Sequence, residues 1–119
     1  MRSYRDLEVW RRSIDLVEAI YRASSGWPAE ERFGLTSQIR RAAVSVPSNI
    51  VEGAARRGTR EFLQFLSIAK GSLAEVETQL TLAERLGYLP AAAGVVLLAS
   101  AAEIGRMLAG LTKVLGTKG

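Results

Sequence analysis

Five arginines in two clusters are the residues of this chain best suited to contact a ligand: Arg40 and Arg41, then Arg56, Arg57 and Arg60. A guanidinium presents a planar fork of donors that matches a phosphate, so grouped arginines are candidate contacts for a nucleic-acid backbone. The two clusters lie roughly 24 Å apart if one helix carries both. For Arg40 and Arg41 the alternative is a solvated or ion-paired helix face. Charge placement favours the same half of the chain. Residues 1–60 hold 11 basic and 7 acidic side chains, whereas residues 61–119 hold 5 of each. A polyanion would therefore meet the first half; the alternative is surface charge that serves solubility.

Other chemistries are excluded by composition. The 119 residues include no cysteine and no histidine, which removes disulfides, thiolates and the commonest general base and metal ligand. A di-iron bundle site needs Glu-x-x-His on two helices, and none is present. Glu75 and Glu77 point to different helix faces and form no acid–base pair. The segment Gly53–Gly58 lacks the lysine of a phosphate-binding loop. No enzyme activity, cofactor, metal or small-molecule substrate is expected. The charged start has no apolar core of a signal peptide. The longest apolar run, Ala91 to Ala102, is shorter than the roughly 20 residues needed to cross a bilayer. A soluble cytoplasmic protein without membrane contact is expected.

The elements that must position the arginines are helices, in one all-α domain over residues 1–119. The first is predicted over about 6–23, with Leu7, Trp10, Ile14, Val17 and Tyr21 as its apolar stripe and Ser3 or Asp6 as its cap. Trp27, in the next loop, plugs an end of the core; the alternative is base stacking. The second helix spans about 29–57, starting near Pro28 or a few residues later at Phe33–Gly34. Its core stripe is Leu35, Ile39, Ala42, Val46, Ile50 and Gly53. The third spans about 60–86, with Phe62, Leu66, Ala69, Leu73, Val76, Leu80 and Ala83 inward. The fourth spans about 91–115, with Leu97, Ala101, Ile104, Leu108, Leu111 and Leu115 inward, and residues 116–119 fray. Gly58 suits a C-cap and Thr59 an N-cap, and Gly87 and Pro90 end the third helix. Short links between four amphipathic helices predict an antiparallel up-down-up-down four-helix bundle.

The second helix contains Pro47, Ser48, Asn49, Glu52 and Gly53, residues that an undisturbed helix avoids. Pro47 removes a donor and clashes with the carbonyl of Ala43, so a bend is expected, with Ser48 or a water taking that carbonyl. Asn49 faces inward and bonds freed backbone groups, Glu52 pairs with Arg56, and Gly53 lets a neighbouring helix approach. Three helices also carry a spare apolar or small-residue face: Val44, Pro47 and Val51; Gly71, Ala74 and Thr78; Val95, Ala99 and Ala102. Faces of this kind predict a homo-oligomer with the first helix on its outside. The alternative is a monomer with an alanine-rich surface.

These residues resemble a known family. Leu35-Thr36-Ser37-Gln38-Ile39-Arg40-Arg41-Ala42-Ala43 followed by Val46-Pro47-Ser48-Asn49-Ile50-Val51-Glu52-Gly53 is similar to the four-helix-bundle proteins encoded in 23S ribosomal RNA intervening sequences. The likeness extends to Asp6-Leu7-Glu8-Val9-Trp10, to Phe62–Glu75 and to Leu86-Gly87-Tyr88-Leu89. Val46 and Val51 stand where that family usually has isoleucine and alanine. The resemblance implies a left-handed antiparallel bundle assembled as a ring of five, with no enzymatic activity. Accessory proteins of diversity-generating retroelements are similar, and are basic pentamers that bind nucleic acid and a reverse transcriptase. The expectation for this chain is thus a homopentameric scaffold that binds RNA or an RNA-associated protein. The alternative is a pure protein–protein adaptor.

Overall fold

The structure is a computed structural model and describes residues 7–118. Four helices pack side by side: α1 (Glu8–Ser24), α2 (Leu35–Ala54), α3 (Thr59–Arg85) and α4 (Ala91–Lys118), with a 3-10 turn at Ala29–Glu31 and no strand among the described residues. Each helix touches two neighbours, in the cyclic order α1, α2, α3, α4, and the diagonal pairs make no close backbone approach. The expected caps Ser3 and Asp6 lie outside the described residues. Leu7 is the N-cap of α1 and makes no side-chain capping bond.

The later of the two expected starts for α2 is the observed one. Gly34 is its N-cap, and Glu31 accepts the Leu35 N–H at 3.0 Å, placing a carboxylate at the positive end of the helix. The Tyr88 hydroxyl donates to the other oxygen of Glu31 at 2.9 Å and thereby ties the α3–α4 turn to the start of α2. That bond to a carboxylate, with some loss of solvent, raises the Tyr88 hydroxyl above its ordinary value. Trp27 is buried beside Tyr88, ring centroids 6.1 Å apart, so it plugs the end of the core.

α3 ends as glycine chemistry dictates. Gly87 has φ +81°, Tyr88 N–H reaches the Ala83 carbonyl at 2.9 Å, and Gly87 N–H reaches that of Glu84 at 3.0 Å. This is the double bond pattern of a Schellman stop. Gly58 behaves otherwise. Its φ of −102° is open to any residue, and it caps the start of α3 rather than the end of α2, which stops earlier, at Ala54. At the chain's other end α4 stays helical through Lys118 instead of fraying from Gly116.

The core stripes expected of α2 and α3 are buried throughout, as are Leu97, Ala101, Ile104 and Leu108 of α4, while Leu111 and Leu115 are half-buried. α1 corrects the sequence reading. Its buried residues are Val9, Ser13, Leu16, Ile20 and Ser24, whereas Ile14 and Tyr21 stay 41% and 42% exposed. The apolar arc of α1 is broad, and two serines hide its inward half. Both satisfy themselves within the helix, Ser13 Oγ donating to the Trp10 carbonyl and Ser24 Oγ to that of Ile20, each at 2.7 Å. The larger side chains consequently turn toward the outer side of α2.

α4 also differs from expectation. Counted as a helix rather than as an apolar run, Ala91–Thr117 is long and apolar enough to cross a bilayer, with mean hydropathy 1.5 and 28% burial over its most apolar stretch. Helices that line a protein core have the same composition, and the inner face of α4 packs on α1 and α3. Its outer face is largely exposed, Val95 and Val96 each at 67%.

Candidate nucleic-acid interface

α2 runs unbroken through Pro47 and carries Arg40 and Arg41, but it ends at Ala54, so no single helix carries both clusters: Arg56 and Arg57 lie in the link that follows and Arg60 in the first turn of α3. Asn49 is half-buried, and its side-chain N–H donates to the Ser45 carbonyl at 2.7 Å and to Ser45 Oγ at 2.9 Å. It thus bonds backbone four residues back, and not the Ala43 carbonyl opposite the proline. The Ser45 and Ser72 hydroxyls meet at 2.8 Å and join α2 to α3. Ser48 lies exposed on the other side. Gly53 is buried where α3 crosses closest. A Cβ there would lie 2.8 Å from Phe65 Cβ and 2.9 Å from Phe62 Cδ1. The close approach expected of Gly53 is therefore present.

The first cluster splits. Arg40 turns to α1: its Nε donates to Ser24 Oγ at 2.9 Å, its Nη2 to the Tyr21 carbonyl at 3.2 Å, and its guanidinium lies 4.6 Å from the Tyr21 ring centroid. A cation at a helix C-terminus is well placed electrostatically. Arg40 is a clamp between helices, engaged with a hydroxyl, a carbonyl and a ring rather than with an acid. Arg41 is exposed and lines a polar groove of about 440 Å³ with Gln38, Ser45, Ser72, Glu75 and Gln79.

The second cluster stays together. Arg56 lies 4.9 Å over the Phe65 ring and 3.6 Å from the Glu52 carboxylate, the i,i+4 pair expected from spacing. Exposed pairs of this kind contribute about 1 kcal/mol or less, so the pair leaves Arg56 available to a stronger anion. Arg57 and Arg60 are exposed and have no partner among the described residues. The ring of Phe65 under Arg56 was not legible in the sequence. Its spacing from Arg56 means nothing until the α2–α3 turn brings the two helices together.

The α2 stripe, its glycine crossing and the corner that follows belong to a segment matched as a whole. A family model for the 23S rRNA-intervening sequence protein matches residues 5–110. The chain belongs to this family. Among curated proteins none matches the sequence. A crystal structure of a protein of unknown function from the S23 ribosomal protein family of Bacteroides thetaiotaomicron superposes with TM-score 0.79 at 24% identity, covering 88% of this chain and 98% of that one. The likeness shows a shared fold. Within the intervening-sequence protein fold seen here, the spare faces divide. Pro47 is buried and Val51 half-buried on the side of α2 next to α1, with Val44 39% exposed. Gly71, Ala74, Thr78, Val95 and Ala99 are exposed, and Ala102 is half-buried. Gly71 has nothing within 4 Å of an added Cβ, so no helix of the same chain approaches it.

Proposed function

We propose that this protein is a non-enzymatic, homo-oligomeric scaffold of the cytoplasm: a ring of five left-handed antiparallel bundles that binds RNA, or a protein carrying RNA, at the α2–α3 corner. The observation that carries this reading is the pairing of two open arginines, Arg57 and Arg60, with Arg56 stacked on Phe65 beside them. The excess positive charge of the first 60 residues supports it. A ring would repeat the corner once per subunit, so contacts weak singly add up on one strand. Arg40, held by α1, is not part of this surface. The second reading, a protein–protein adaptor, is supported by the Glu52–Arg56 pair, in which an arginine of this corner already lies beside a carboxylate of its own chain.

Salt separates them. Binding of a single-stranded RNA followed by anisotropy should weaken with rising salt, each phosphate contact adding about 0.7 to the slope of log affinity against log salt. The double variant R57A/R60A should reduce that slope by about 1.4 per engaged subunit. No binding at low salt removes the RNA reading, and an unchanged slope moves the contact away from this corner.

A further inference from the structure

The polar groove between α2 and α3 holds two charges of opposite sign that do not pair. Arg41 stands on its α2 wall and Glu75 on its α3 wall; both are exposed, and neither has a partner among the described residues. Gln38 and Gln79 add one amide from each wall, and the bonded Ser45 and Ser72 hydroxyls join the two helices there. Gln79 Oε1 is buried and meets no donor among the described residues. A buried acceptor without a donor is costly, so a turn of this side chain toward a donor held in the groove gains a hydrogen bond. The groove, about 440 Å³, is of the size that takes a small ligand or one unit of a polymer.

We propose that this groove reads one guanine of a single-stranded RNA whose phosphates lie at the Arg57–Arg60 corner. The proposal rests on the RNA reading and specifies which base the strand must carry. The occupant has to offer acceptors to Arg41 and donors to Glu75 at once. Guanine does both: O6 and N7 are an acceptor pair for a guanidinium, and N1–H with the N2 amine is a donor pair for a carboxylate. No other standard base has two adjacent donors. Adenine would set its N1 acceptor against the Glu75 carboxylate, and uracil has one donor between two acceptors. Both edges of guanine are free only when it is unpaired, so the strand must be single. The groove lies on the same α2–α3 seam as the arginine corner. From Arg41 to the end of α2 at Ala54 is roughly 20 Å, a span of a few nucleotides. Ile68, 51% exposed, shares the ridge of Ser72 and Glu75 by its spacing and offers the intervening bases an apolar surface.

The test is fluorescence anisotropy at low salt with the full-length protein and a labelled oligouridine carrying one internal guanosine. The same strand with adenosine or inosine at that position is the comparison. The guanosine strand should bind about tenfold more tightly than the adenosine strand, with inosine, which lacks the N2 amine, in between. Glu75→Gln should abolish the preference without weakening the adenosine strand, since it removes a negative charge. Arg41→Lys keeps its charge but loses the planar fork, so the preference should fall while the salt slope stays. A plain phosphate contact at Arg41 would survive that change. Both positions are exposed, and circular dichroism checks that each variant keeps its helices. Equal affinity for the guanosine and adenosine strands would overturn this proposal and leave RNA binding in place. Binding of neither strand removes the RNA reading and the proposal with it. A preference that outlasts both variants would place the base elsewhere and overturn the proposal. So would guanosine monophosphate that binds as tightly as the strand, which would give the groove to a free nucleotide. A light-scattering mass that changes in either variant would give Arg41 and Glu75 to a contact between copies, and overturn it too.

Discussion

Gly53→Ala should lower the free energy of unfolding by about 1–2 kcal/mol, although alanine is the better helix former by about 1 kcal/mol. The added carbon would sit 2.8 Å from Phe65 Cβ, 2.9 Å from Phe62 Cδ1 and 3.3 Å from the Phe62 carbonyl. Two of these three atoms belong to backbone or to the first side-chain carbon and cannot swing away. α2 and α3 must then separate, and the buried Phe62, Leu66 and Ile50 lose contacts along the seam. Moving Phe65 also disturbs the ring on which Arg56 lies. Gly71→Ala is the control, since an added Cβ there meets nothing within 4 Å. It should raise stability by up to about 1 kcal/mol through propensity alone. Urea unfolding of the two variants, with unchanged m-values, reads both signs. Equal shifts in the same direction would show that the α2–α3 crossing does not depend on Gly53.

The role of Gly53 was legible in the sequence because a glycine on an otherwise apolar helix stripe marks a place where another backbone comes close. The stripes of α2 and α3 were legible for a related reason: each has one apolar arc of normal width, so period and burial agree. α1 was misread because its arc is wide enough to hold two stripes, and the buried one contains Ser13 and Ser24. Periodicity scores a serine as polar, yet a hydroxyl that bonds its own helix carbonyls can be buried at little cost. The outward turn of Ile14 and Tyr21 follows. The Arg40 clamp was out of reach for another reason. Its partners Tyr21 and Ser24 are 19 and 16 residues away, and only the loop between α1 and α2 brings them together.

Arg40→Ala should cost about 2–3 kcal/mol. It removes two charge-assisted hydrogen bonds and a cation–π contact from the join between α1 and α2. The Ser24 hydroxyl, 2% exposed as a residue, would lose the donor it accepts from. Arg41→Ala, one residue on, removes an exposed side chain with no partner among the described residues and should stay within about 0.5 kcal/mol of the parent. Chemical denaturation measures both. A neutral Arg40→Ala would return Arg40 to the pool of free cations. In RNA binding the order should differ, with Arg57 and Arg60 contributing and Arg40 not, provided the Arg40 variant is assayed where it remains folded.

Assembly is the claim on which the scaffold reading depends. Light-scattering mass of the wild-type protein, taken across a range of concentrations, tests it most directly. The account predicts a mass five times the 12.9 kDa of one chain, held constant on dilution until the ring dissociates. A mass of 12.9 kDa at every concentration would contradict it.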